Sequence, residues 1–166
     1  MRRTAIALAL MLAPVVACDS PTRQDQQVAQ RVSSFAPDSA STLFRNFYSG
    51  YRSVERKVIT SQAAWAAEWG LLHGGVTPPP PQPAVDFGED AVVLASLGER
   101  SHGGFNISID SVVVFDAGVQ VVYITSTSPG SNCFTTDAIN FPVHVVRVPR
   151  PVNNVVFAER SNVTAC

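Results

Sequence analysis

The chain has 166 residues, 46% of them hydrophobic and 15% charged, with a formal net charge of -1. That length suits one domain with extensions, and no second folded unit fits beside it. The near-neutral balance and the lack of a long basic stripe exclude a nucleic-acid surface.

Met1-Arg2-Arg3 is a short basic start, and Thr4 to Ala17 is an apolar run. The run is short for a bilayer span and no stop-transfer pattern follows, so it reads as an export leader. It ends in Val15-Val16-Ala17-Cys18. Small residues before a cysteine suit a signal peptidase pocket, and the context resembles a bacterial lipobox. Cys18 would then be acylated and become the first residue of the mature chain. The alternative is an ordinary secretory leader cleaved near Ala17. Each buried methylene adds about 0.8 kcal/mol, so two or three acyl chains hold a protein stably on a membrane. A lipidated Cys18 places the protein in the bacterial cell envelope, facing the periplasm or exterior. Loss of residues 1–17 takes the twelve basic side chains to ten, against thirteen acidic ones.

Residues 18–42 hold the lipidated cysteine and a polar stretch, DSPTRQDQQVAQRVSSFAPDSAST, interrupted by two prolines. So little apolar surface predicts a flexible tether. From residue 43 the pattern changes. Residues 51–59 (YRSVERKVI) alternate loosely, as a strand does. Thr60-Ser61 then caps a helix through SQAAWAAEWGLLH, rich in alanine. Trp65, Trp69 and Leu72 fall on one face of it, a core stripe in preference to an exposed binding platform. Gly74-Gly75 ends the helix. The four consecutive prolines of VTPPPPQPAVDFGED favour polyproline II. They read as a stiff spacer crossing the domain surface, with a ligand for a proline-binding module as the alternative.

The remainder reads as β-structure: AVVLASL (91–97), GFNISIDSVVVF (104–115), GVQVVYITSTS (118–128), INFPVHVVRVP (139–149) and NNVVFAER (153–160). Asp116-Ala117-Gly118 and Pro129-Gly130-Ser131-Asn132 are turn signals between them. Hairpin-length connections predict antiparallel pairing. The sum is an α+β domain over residues 43–166. It is mainly antiparallel, with five or six strands in a small sandwich or open barrel and one amphipathic helix that covers a sheet or plugs the barrel.

With Cys18 acylated, Cys133 and Cys166 remain, an even pair in an exported protein and therefore a candidate disulfide, with two free thiols, or a metal-binding or catalytic cysteine, as the alternatives. His73, His102 and His144 sit in separate elements and form no HxH or HExxH pattern, so nothing points to a metal or other cofactor. His144 falls on a strand's polar face or in the core with its hydrogen bonds met. Ser101 and His102 are adjacent, so on a strand they point apart and do not make a nucleophile–base pair. Gly103-Gly104 open into a strand and lack the lysine of a phosphate loop. The turn GERSHGGF is then either a structural corner or a partner-binding tip. In the second case Phe105 would be the apolar anchor, Arg100 would fork to a carboxylate, and the glycines would admit a partner backbone.

The order of these pieces resembles the C-terminal domain of PrcB-type proteins, the protease complex subunit family. The matching residues are Gly98-Glu99-Arg100-Ser101-His102-Gly103-Gly104-Phe105, Pro129-Gly130-Ser131-Asn132-Cys133, and Pro142 to Pro149, across about residues 51–160. His102 stands where a smaller residue such as threonine is expected. The resemblance implies a non-catalytic lipoprotein that associates with an exported protease and steadies it. Arg100, His102, Gly103, Gly104, Phe105, Pro129, Gly130 and Phe134 would touch that partner. The Gly-Gly-Phe turn is also similar, in that one loop, to the wedge loops of chagasin-like protease inhibitors.

Overall fold

The computed structural model describes residues 29–74 and 76–166. The leader, Cys18 and the first part of the expected tether lie outside them. Among the described residues, no helix is long and apolar enough to cross a membrane. Eight strands and one helix form: β1 (Arg31–Phe35), β2 (Thr42–Asn46), β3 (Val54–Ile59), α1 (Gln62–Leu72), β4 (Asp90–Leu97), β5 (Asn106–Phe115), β6 (Gln120–Pro129), β7 (Val143–Pro149) and β8 (Val155–Thr164). They build two four-stranded sheets, ordered β1-β5-β6-β8 and β2-β7-β4-β3.

The second sheet is the middle of three layers. Alternation along β4 divides its side chains between two cores. Ala91, Val93, Ala95 and Leu97 face the first sheet and pack with Ile107, Ile109, Val122 and Ile124. Val92 and Leu94 face the helix and pack with Trp65, Trp69 and Leu72. On β7, Val146 and Val148 join the inter-sheet core while Val143 and Val145 join the helix side. Burial on both faces is why β4 reads as an unbroken apolar run and not as an alternating strand.

The Ser61 hydroxyl caps α1 by accepting from the Ala64 amide at 3.3 Å. Trp65 and Trp69 are buried, with ring centroids 5.3 Å apart in an edge-to-face arrangement. Each indole N–H donates to a carbonyl of the proline stretch, Trp65 to Pro83 at 3.1 Å and Trp69 to Pro80 at 2.9 Å. Prolines bring acceptors but no amide donor, so the stretch lies over the tryptophans without leaving an N–H unmet. The core-stripe reading of the helix and the surface-spacer reading of the prolines both hold.

The strand count is eight where the sequence predicts five or six, and neither sheet closes into a barrel. The two additional strands are short edges. β1 forms within the segment expected to be tether. It pairs with β5 through Phe35 opposite Val112, and all its residues but Phe35 are exposed. β2 pairs with β7 and brings Leu43 and Phe44 to the helix-side core. A strand that buries one or two side chains carries almost no apolar signal. The pairing is also not wholly antiparallel, because β8 runs parallel to β6 over its full length, Gln120 opposite Val155 to Pro129 opposite Thr164. Between them the chain crosses to the other sheet for β7, and the return leaves β6 and β8 pointing the same way.

His144 is the polar group inside this core. Its Nδ1 accepts from the Ile109 amide of the opposite sheet at 2.9 Å. Its Nε2 therefore carries the proton and lies 3.3 Å from the Thr42 hydroxyl, which donates onward to the Asp38 carbonyl at 2.8 Å. One neutral imidazole thus ties β7 to β5 across the sandwich and to the β1–β2 turn. Burial, and next the Arg45 charge, hold its pKa down at about 4, with Asp110 opposing. A histidine in the unfolded chain protonates near 6.5. Between those values the unfolded state binds more protons, so stability falls as the pH drops through that window. Urea unfolding from pH 7 to pH 4 is expected to show this decline, and a His144→Asn variant to lose about 2 kcal/mol of it, whatever its starting stability. Equal slopes for the two proteins would refute the assignment.

Candidate functional site

Three loops meet at one end of the sandwich: residues 47–53 between β2 and β3, 98–105 between β4 and β5, and 130–142 between β6 and β7. Backbone hydrogen bonds fasten them together. The Glu99 amide donates to Arg52 O at 3.0 Å, the Phe141 amide to Phe47 O at 2.7 Å, and the Gly103 amide to Thr136 O at 2.9 Å. Arg100 and Asn140 exchange amide-to-carbonyl bonds of 2.8 and 3.0 Å. The Asn140 side-chain amide reaches His102 O at 2.6 Å. An Arg52–Glu99 ion pair of 2.8 Å crosses from the first loop to the second.

The glycines of the GERSHGGF turn serve this internal contact. A Cβ on Gly103 would fall 2.3 Å from Thr136 Oγ1. Gly104 has φ +92 and lies against the Pro129 ring, which a Cβ would meet at 3.1 Å. The close approach that Gly103-Gly104 permit is therefore made by the chain's own 130–142 loop, and Pro129 lies against the turn. Gly130 lies against the chain end, its amide donating to Thr164 O at 3.0 Å.

Phe105 is half-buried and packs against the inter-sheet core. Its ring lies 5.0 Å from that of His102 and carries the Arg100 guanidinium 5.5 Å above it. Phe105 is thus a support beneath Arg100. Exposed apolar side chains at this end include Phe47, Tyr48, Ile139 and Phe134, the last fully open in its loop, with Val54 and Val163 exposed at the adjoining strand ends. Of these the sequence singled out Phe134 alone. Phe47 and Tyr48 precede the first strand the sequence offers, Ile139 reads as the start of a strand that in fact begins at Val143, and only the fold shows that the three share an end. No hydrogen bond joins Ser101 to a histidine or a carboxylate among the described residues, and His102 Nδ1 lies 2.9 Å from Gly103 O.

Cys133 and Cys166 are joined, with Cα atoms 5.2 Å apart across a separation of 33 residues. The bond fastens the Phe134 loop to the end of β8, beside the Gly130–Thr164 hydrogen bond.

A helix-covered, two-sheet sandwich with a loop-built apolar end is the class that fold and site define. Within it, residues 91–149 match the family model described as PrcB C-terminal. The match runs from β4 to the end of β7. It lies inside the stretch where the order of motifs resembles that family and contains the second and third loops of the site. No curated protein and no solved structure matches the chain.

Closing a loop of 33 residues removes about 3–4 kcal/mol of unfolded-state freedom. A Cys166→Ser variant is expected to lose about 3 kcal/mol in denaturant unfolding and to exchange amide hydrogens of residues 130–142 faster, with β4 and β7 little changed. Unchanged stability would show that the bond constrains nothing.

Proposed function

We propose that this chain is a lipid-anchored, non-catalytic protein-binding module of the cell envelope. Its partner is an exported protease, whose complex it steadies, and its contact surface is the three-loop end. The observation that carries the reading is the gathering of Phe47, Tyr48, Phe134 and Ile139 on that end. Exposed aromatics on hydrogen-bonded loops, one of them held by a disulfide, lose little freedom on docking, which is the profile of an interface anchor. The match of residues 91–149 to the PrcB C-terminal model, together with the family's link to protease complexes, supports the choice of partner. The leader ending at Cys18 supports the anchor.

A second reading, a protease inhibitor of the chagasin-like loop-wedge type, draws on the same surface. The fully exposed Phe134, braced by the Cys133–Cys166 bond, has the form of a wedge tip. The protease's activity in the complex separates the two: a steadying subunit leaves turnover intact, and an inhibitor abolishes it.

Metabolic labelling with an alkyne analogue of palmitate is expected to mark the wild-type chain and not Cys18→Ser; label on both, or on neither, would refute the anchor. In pull-downs from detergent-solubilised envelopes, the full chain is expected to retain an exported protease identified by mass spectrometry. A Phe134→Ser/Ile139→Ser variant should retain about tenfold less or lower, as truncation of anchor residues does. Equal recovery by both proteins, or no protease with either, would overturn the reading.

A further inference from the structure

Arg100 is the unsatisfied charge of the loop end. Its backbone is fixed on both sides by Asn140, and its side chain lies over Phe105. Its Nε is buried without an acceptor. Among the described residues no carboxylate pairs with it, because Glu99, its neighbour in sequence, is taken by Arg52. Only Nε is shut off from water; Arg100 as a whole is half-buried, so its two terminal nitrogens stay open to a visitor, and the aromatic face beneath them offsets part of the hydration lost. The planar fork is made to complete two parallel hydrogen bonds to a carboxylate.

The surroundings say what kind of carboxylate fits. Glu99, Arg100, Ser101, Phe105 and Ile139 line an open groove of about 510 Å³. Ile139, half-exposed, gives it an apolar wall. Capture of a chain's terminal carboxylate uses converging backbone N–H groups. Here the amides of Glu99, Arg100 and Gly103 are already spent on Arg52, Asn140 and Thr136 carbonyls. What the groove offers is a side-chain cation beside an apolar wall. Arg45, on a nearby strand end, also pairs with no carboxylate among the described residues and bonds to Asn106 Oδ1 at 3.3 Å, which sets a second positive charge near the groove, the complement of an acidic visitor.

We propose that this groove binds an acidic segment of the partner protein, with an Asp or Glu side chain forked by Arg100 and a neighbouring apolar side chain against Ile139. The inference rests on the binding-module reading and specifies its chemistry. It also gives the turn's arginine a task that the glycines and Phe105 make possible. The glycines let the facing loop close in, Phe105 holds the guanidinium up, and Asn140 fixes its backbone.

The test uses the full chain in detergent and fluorescein-labelled, C-terminally amidated dodecapeptides. One carries a single Glu between two leucines in a Ser/Gly frame. A second carries Gln in its place, and a third is the Gln peptide with a free C-terminal carboxylate. By fluorescence anisotropy the Glu peptide is expected to bind, and both Gln peptides to bind about tenfold more weakly or worse. Arg100→Ala should erase the Glu preference. Arg100→Lys, which keeps the charge but not the fork, should retain a minor part of it with an unchanged melting temperature. Equal binding of Glu and Gln peptides, or no binding below millimolar, overturns the proposal. A free C-terminus that rescues the Gln peptide overturns the choice of a side-chain carboxylate. Arg100→Ala should also weaken protease retention. If retention survives Arg100→Ala but not the Phe134→Ser/Ile139→Ser change, the carboxylate inference alone falls. If no protease is retained while the Glu preference stands, the protease reading alone falls.

Discussion

The burial of β4 and β7 on both faces is the constraint that organises this molecule. Two strands with apolar side chains on either side must be covered twice. Here the first sheet covers one face and the tryptophan helix the other. Burying one valine or leucine side chain is worth about 1.5–3 kcal/mol, so this central pair outweighs any of the surface ion pairs. The two faces are filled differently. Ala91 and Ala95 keep the inter-sheet side shallow, which lets the sheets approach. Trp65 and Trp69 fill the wider gap under the helix. Their polar edges are then met by Pro80 and Pro83 carbonyls, so the proline stretch is positioned by the same packing.

The price of a strand buried on both sides is that any polar residue on it must find partners inside. His144 does so across the sandwich, reaching the Ile109 amide where β5 has no β1 beside it. Ser96, on β4 and fully buried, accepts at its hydroxyl from the Gly98 amide at 3.0 Å. That bond lies where the chain leaves β4 for the GERSHGGF turn. Gly98 has φ +69, and Cβ space there is closed by the Ser53 and Arg52 backbone. The route from the core to the loop end is therefore short and rigid: Ser96, Gly98, then Glu99 and Arg100 bonded to the flanking loops.

Much of this was legible in the sequence. Long strands with many buried side chains announce themselves, as β4, β5 and β6 do, and a helix with two tryptophans on one face declares what it covers. The cysteine pair could be counted. β1 and β2 could not be seen, because an edge strand held by a ladder and one or two aromatic side chains looks like loop. The parallel β6–β8 pairing depends on β7 lying in the other sheet, which is a matter of topology and leaves no mark on local pattern. At the site, Arg100 and Phe134 stood out by type and by their place in turns. The glycines were visible as sites of close approach, but whether a partner or the chain itself fills that space depends on Thr136 and Pro129, distant in sequence. Phe47, Tyr48 and Ile139 gave no signal, since only the fold brings them to one end.

The asymmetry of the surface is the strongest reason to place interaction at the loops. The outer face of the first sheet pairs its polar groups, Thr125 donating to Asp110 and Arg160 reaching Thr125 Oγ1 at 3.0 Å and Asp110 at 3.8 Å, while Tyr123 and Val156 stand exposed on its strands. The solvent side of the helix is mostly alanine, with Leu71 exposed at its last turn. Of the four exposed aromatic side chains among the described residues, Phe47, Tyr48 and Phe134 lie at the loop end, and Tyr123 alone lies elsewhere. Scattered apolar side chains are ordinary on any surface. Aromatics concentrated on hydrogen-bonded loops, beside an arginine that pairs with no carboxylate among the described residues and behind a disulfide, form a pattern that neither solubility nor stability asks for. Polar residues at Phe47, Tyr48 and Phe134 would leave the buried core unchanged, so the aromatics at this end support the proposed contact surface.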